Sequence, residues 1–178
     1  LTILINKKLI GIRDPFGIRP LIIGKLNKSY VLASETCALD IIGAKFIREV
    51  DNGEIVIITE SGMESVKPFP KIKARPCIFE YIYFSRPDSL INNISVYEYR
   101  KKLGAELAKE SHIDADLIVP VPDSGVPAAI GYSEEIKKNI ELGIIRNHYV
   151  GRTFIEPTQN IRSLGVKLKH NVNKSLVK

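Results

Sequence analysis

The chain has 178 residues, a formal net charge of +6 and 44% hydrophobic residues, which is room for one domain or two small ones of ordinary globular composition. No run of ~18 apolar residues could span a bilayer, and at the start the charges of Lys7 and Lys8 follow the apolar run instead of preceding it, unlike a signal peptide. Two cysteines, Cys37 and Cys77, make no disulfide framework and point to a reducing, cytoplasmic setting.

Charge is spread unevenly. Residues 1–143 hold 19 basic and 19 acidic side chains, whereas residues 144–178 hold seven Lys or Arg and one acid, Glu156. A positive field at that end would attract a small polyanion or a nucleic acid. Both ends read as cut. Leu1 opens inside a strand pattern, and residues 167–178 are basic with no evident packing partner, so an internal piece of a longer chain is expected.

In chain order, Thr2 to Ile5 and Leu9 to Ile12 read as a hairpin around Asn6-Lys7-Lys8. Arg13-Asp14-Pro15-Phe16-Gly17 is turn chemistry, with proline presetting one angle and glycine permitting the next. Strands are expected over 21–24 and 30–33, with 25–29 as their turn. A short helix from Ser34-Glu35-Thr36 closes at Gly43, and another strand covers 54–59. Residues 67–76, with three prolines and four basic residues, suit an extended connector. Cys77 to Phe84 fits a strand or a short helix.

Ser95-Val96-Tyr97-Glu98 is a capping box, and Val96, Tyr99, Leu103 and Leu107 recur at helical spacing, so a helix is expected over 96–110. The apolar run 115–121, the loop Asp123-Ser124-Gly125, a helix over 126–139 and a strand at 142–145 follow. Such alternation suggests a parallel sheet. In such sheets ligands sit beyond the strand carboxyl ends. There Asp123 and Ser124 would precede a helix N-terminus, which favours anions. The stretch Tyr149-Val150-Gly151-Arg152-Thr153 would leave the next strand at the same edge. Arg152 offers a fork of donors, Thr153 a hydroxyl and Gly151 a bend. A solvated basic loop would fit the same residues. So would a nucleic-acid-binding module, although no aromatic residue except His170 follows Phe154 to stack on bases.

Five stretches together resemble the amidophosphoribosyltransferase family: Arg13 to Leu21, Ala33-Ser34-Glu35, Glu80 to Ser89, Val121-Pro122-Asp123-Ser124, and Tyr149 to Ile155. The first alone would fit other glutamine amidotransferases of the N-terminal-nucleophile type; the five in order are specific. The resemblance implies an α+β and α/β fold. The back part of a glutaminase β-layer (1–66) is joined through a connector (67–79) to the front part of a type I phosphoribosyltransferase domain (80–178). It implies an enzyme that frees ammonia from glutamine and uses it, with Mg²⁺, to displace pyrophosphate from phosphoribosyl pyrophosphate in purine synthesis. Inhibitory purine nucleotides and a homo-oligomeric state are implied as well.

By the same resemblance, Asp123, Ser124, Arg146, Asn147, Tyr149, Arg152 and Thr153 would bind substrate, and Ser124 would lie near the magnesium. Cys77 matches a cysteine that binds a [4Fe–4S] cluster in one branch of the family. The chain departs from the family at several points. No cysteine is N-terminal, the acid-rich pyrophosphate-substrate signature is missing, and His148 stands where the family has arginine. The isolated chain should therefore be inactive, and a non-catalytic purine-nucleotide-binding regulator is the alternative.

Overall fold

The computed structural model describes residues 1–177. They form two compact units, Leu1–Tyr99 and Arg100–Lys178.

In the first unit, β1 (Thr2–Ile5) and β2 (Lys8–Ile12) pair as a hairpin. Its turn is narrower than the sequence suggests: Asn6 and Lys7 alone take positive φ, 42° and 63°, which suits the twist of a two-residue loop. β3 (Ile22–Leu26) and β4 (Ser29–Ala33) close over the two residues Asn27 and Lys28, of which Asn27 alone takes positive φ, 54°. Helix α1 (Thr36–Ile41) ends at Gly43, φ 70°. β5 (Lys45–Glu49), β6 (Ile55–Thr59) and β7 (Gly62–Val66) complete two antiparallel sheets, ordered β1-β2-β6-β7 and β4-β3-β5. β5 and β7 were not expected from the sequence.

The strand period of two sends Ile22 and Ile23 to opposite faces of β3. Ile23 joins Leu21, Val50, Val56 and Ile58 in the core between the sheets, while Ile22 packs with Leu39 of α1 and Ala44 on the outer face. Beyond β7 the proline-rich stretch 67–77 has no regular structure. Glu80–Phe84 is a wide helical turn. The small hairpin β8 (Leu90–Ile91) and β9 (Ile94–Ser95) leads into α2 (Val96–Glu110). Ser95 Oγ accepts from Glu98 N at 3.3 Å, the first arm of the expected capping box. Tyr81, Ile91 and Val96 bury together beneath Tyr99.

The second unit departs further from expectation. Helix α3 runs Val126–Ile136 and ends at Lys137, φ 55°. The run 115–121 forms no strand. Proline at 120 and 122 removes ladder donors, and one parallel bridge, Ile118 to Ile140, remains. β10 (Ile144–Arg146) pairs antiparallel with β11 (His170–Val172), so the strand after α3 has no parallel ladder. The basic tail, read as unpartnered, instead supplies α4 (Gln159–Lys169) and β11. Thr158 Oγ1 caps α4 by accepting from Ile161 N at 3.4 Å. Glycines let α2 and α3 touch: a Cβ on Gly104 would lie 1.8 Å from Ala128 O, and one on Gly131 1.8 Å from Lys101 O. No helix among the described residues is long and apolar enough to cross a membrane.

Candidate functional site

The loop before α3 and the strand after it do converge. Gly125 N donates to Val121 O at 3.1 Å and Val126 N to Asp123 O at 3.3 Å, which folds residues 121–126 into a tight turn at the start of α3. The Pro122–Asp123 peptide is cis. α3 has no side-chain cap, so its positive end is open to an anion. At this turn Arg146 Nη1, at the end of β10, pairs with Asp123 Oδ2. Arg146 Nε is buried and has no partner. Ser124 stands exposed beside them.

The remaining predicted residues are spread along the next stretch. Asn147 is fixed from several sides. Its N–H donates to Lys169 O at 2.7 Å, its Oδ1 accepts from Tyr149 N at 3.1 Å, and its carbonyl accepts from Val150 N at 3.3 Å. Tyr149 is 99% exposed, and Arg152 is exposed as well. Thr153 is buried, with Cγ2 at 3.0 Å from the Cβ position of Gly165 in α4. Gly151 stands in open space and has no positive φ, and the bend expected there is not formed, since residues 150–153 carry neither turn nor bend. Thus Asp123, Ser124 and Arg146 share one place, while Tyr149 and Arg152 reach into solvent.

In the first unit the Arg-Asp-Pro stretch is a rigid turn. Asp14 Oδ1 accepts from Ile18 N at 3.0 Å, and Asp14 O accepts from Gly17 N at 2.9 Å and Gly53 N at 3.1 Å. Gly17 has φ 64°, and a Cβ there would overlap the Asn52 amide, so glycine is required. Arg13 is buried and donates to Arg19 O, Val50 O and Glu49 Oε2.

Sequence reasoning missed the carboxylates behind this turn. Glu54 is 1% exposed. It accepts from both terminal nitrogens of Arg48 (2.8 and 2.6 Å), from Ser65 Oγ at 2.5 Å and from Asp51 N at 2.6 Å. Burial opposes its ionisation, yet Arg48, Ser65 and the Asp51 N–H outweigh that and hold its pKa at about 2. The one available signal was an acid at the entrance of an apolar strand.

Neither metal group is assembled by this chain alone. Magnesium needs a near-octahedral oxygen shell. Here Asp123 is engaged by Arg146, and the described residues contain no group of three or more His, Cys, Asp or Glu side chains. A [4Fe–4S] cluster needs thiolates, usually four. Cys77 is half-buried, while Cys37 is a buried residue of α1, where burial raises its thiol pKa. The described residues do not by themselves supply the ligand set of either group.

A β-rich unit that carries a rigid Arg-Asp-Pro turn, followed by a unit with the tight 121–126 turn at the head of α3, is similar to a class of solved structures, the glutamine phosphoribosylpyrophosphate amidotransferases. The Bacillus subtilis enzyme of that name, solved with ADP and GMP, superposes with a TM-score of 0.89 at 48% identity over 99% of this chain and 39% of its own. Among curated proteins, amidophosphoribosyltransferase of Rhizobium etli is 58% identical over 175 residues, 96% of this chain and 35% of that protein. The enzyme of Synechocystis is 55% identical over 172 residues, 95% of this chain and 35% of that one. In sequence and fold, then, the chain is similar to part of these amidophosphoribosyltransferases, and it spans about 35% of the curated relatives' length. No family model matches it.

Proposed function

We propose that the protein carrying this chain is an amidophosphoribosyltransferase of the cytoplasm, acting in purine synthesis as a homo-oligomer. Residues 1–66 would belong to its glutaminase domain, 67–79 to a connector and 80–178 to its phosphoribosyltransferase domain. The observation that carries this reading is the 0.89 TM-score at 48% identity, sustained over 99% of the chain. In the reaction, glutamine and water give glutamate and ammonia. Ammonia then attacks the anomeric carbon of phosphoribosyl pyrophosphate, forming the C–N bond as the C–O bond to pyrophosphate breaks, and the nitrogen loses a proton.

Within this scheme Asp123, Ser124, Arg146 and Asn147 would flank the substrate's phosphates. Tyr149, Arg152 and Thr153 would belong to a stretch that closes over them and excludes water. Arg146 is the principal phosphate ligand, since its fork matches phosphate oxygens. Purine nucleotides would compete for the same place, in keeping with a relative solved with ADP and GMP. Magnesium, and a cluster in one branch, would be held mainly by ligands outside this chain. Ser124 and Cys77 are its only proposed contributions to them.

The test is Arg146→Met in the full-length protein. A charge-assisted contact is worth roughly 1.5–3 kcal/mol, so KM for phosphoribosyl pyrophosphate should rise at least about tenfold, with Arg146→Lys in between. An unchanged KM would remove Arg146 from the site. Absence of any phosphoribosylamine from the unmutated protein would remove the whole reading.

A further inference from the structure

The β10–β11 ribbon brings two polar side chains together behind the turn 121–126. Arg146 and His170 are register partners across it. Asn147 N donates to Lys169 O at 2.7 Å, and Asn173 N donates to Gly143 O at 2.8 Å. Those bonds make 147–169 and 143–173 hydrogen-bonded pairs of the ladder. Hydrogen-bonded and non-hydrogen-bonded pairs alternate along antiparallel strands, so Arg146 and His170 form a non-hydrogen-bonded pair. In such a pair the Cα atoms lie only about 4.5 Å apart, and both side chains rise from one face. The backbone of His170 is fixed as well, since its N–H donates to Val166 O at the end of α4.

Each of the two side chains carries a buried nitrogen that makes no hydrogen bond, Nε in Arg146 and Nε2 in His170. Of the three such side-chain atoms among the described residues, two therefore fall on a single cross-strand pair. A buried polar atom left unpaired is costly, and native folds leave few of them. These two are complementary: an arginine Nε–H donates, and an imidazole nitrogen that carries no proton accepts. The far end of the guanidinium is already committed, because Nη1 pairs with Asp123 Oδ2. The Asp123 side chain is 61% exposed and loses little by returning to water, whereas that of Arg146 is 30% exposed.

Resting on the proposed function, we propose that His170 is a positioning residue for Arg146 in phosphate binding. When a phosphate group of the substrate takes the place of the Asp123 carboxylate, the Arg146 Nε–H closes on His170 Nε2, and both terminal nitrogens face the phosphate as a fixed fork. A fork held from behind loses less side-chain freedom as the phosphate binds. The contact is the same before and during attack on the anomeric carbon, so it acts on substrate affinity and not on the chemical step. Both residues belong to the unit Arg100–Lys178, so the device needs nothing from the first unit.

The experiment measures KM for phosphoribosyl pyrophosphate and kcat in the full-length protein. The variants are His170→Leu, His170→Gln, Arg146→Met and the double variant of Arg146→Met with His170→Leu. Leucine removes the acceptor, and glutamine restores one at about the reach of Nε2. His170→Leu should raise KM about threefold to tenfold, the loss of one hydrogen bond, with kcat within about twofold. His170→Gln should recover most of that loss. In the double variant KM should match that of Arg146→Met alone, because no Nε–H is left to position. If His170→Leu does not fold, His170→Phe, a ring without an acceptor, takes its place. An unchanged KM in His170→Leu beside a raised KM in Arg146→Met overturns this proposal alone. A fall in kcat that glutamine does not recover, or a KM effect that adds in full to that of Arg146→Met, also overturns it and makes His170 a support of the ribbon only. If the unmutated protein forms no phosphoribosylamine, the proposed function fails instead.

Discussion

In residues 1–99 the large buried side chains gather in three apolar clusters, around Ile23, Ile22 and Tyr81, and buried acids such as Glu54 and Glu80 are met by arginines. Among the described residues from 100 onward the buried side chains are few and mostly small or polar, among them Ala108, Ser133 and Thr153. There α2 and α3 meet through backbone at Gly104 and Gly131. Leu107, Leu142, Leu164 and Leu168 remain more than half exposed. The first unit is thus organised by side-chain packing and buried charge, the second by close backbone approach, with its candidate site on the surface. Stability changes in the first should come from charges and core methyl groups, and in the second from any atom added between the helices.

The largest effect is expected at Arg48. Replacing it by Met leaves Glu54 buried against Ser65 and the Asp51 N–H without its cation, and breaking a buried pair costs about 3–5 kcal/mol. Urea unfolding of the protein should show a lowered midpoint, and Glu54→Gln in the same background should recover part of the loss. If Arg48→Met costs no more than a surface pair, the first unit does not depend on this charge.

The same carboxylate fixes a pH response. Its folded-state pKa of about 2 lies below the ordinary value of 4.5. Its contribution is therefore complete above pH ~4.5 and is lost as the pH falls towards ~2, on the order of 3 kcal/mol. Unfolding followed over that window should be steeper for the unmutated protein than for Glu54→Gln. Parallel curves would place the acid response elsewhere.

A smaller effect is expected at the helix contact. Gly131→Ala places a methyl 1.8 Å from Lys101 O, a backbone atom that cannot turn aside, so α2 and α3 must separate. Overpacking of this kind costs about 1–3 kcal/mol. Gly151→Ala, in open space, is the control and should change stability little. Equal behaviour of the two variants would undo the distinction between the units.

What the sequence makes legible follows from where the specifying forces lie. The hairpin at Asn6-Lys7 and the helix opened by Ser95 and Glu98 are set by neighbouring residues, and both were readable. β5 was not: in Lys45–Glu49 the apolar Phe46 and Ile47 are adjacent, which breaks alternation, and the strand exists because β3 offers it a ladder. β11 has three residues and is a strand only through β10, more than twenty residues earlier. The converse error occurred at 115–121, where apolar character suggested a strand that the flanking prolines prevent. In the candidate site, Asp123 and Arg146 could be brought together on paper because α/β connections end at one edge. The grip of Glu35 and Glu49 on distant backbone could not, nor could the pairing of Glu80 with Arg19, since their partners lie far along the chain and carry no local pattern.

The smallest effect expected is at Thr158, and it tests how much α4 depends on its own ends. This helix buries none of its residues, so packing adds little to hold it, and Gly165 lowers its intrinsic propensity. One of its N-terminal donors, Ile161 N, is met by Thr158 Oγ1, and its last turn carries Lys167 and Lys169, which suit the negative end of the helix dipole. Thr158→Ala removes the cap and should cost about 1 kcal/mol. Because α4 leads directly into β11, which pairs with β10, the loss should appear as faster amide exchange in α4 and at Arg146 and Asn147, with exchange in β2, β3 and β6 unchanged. Faster exchange in all of these strands together would mean that the helix end is tied to the core of the first unit, and the contrast between a packed unit and a capped one would no longer hold.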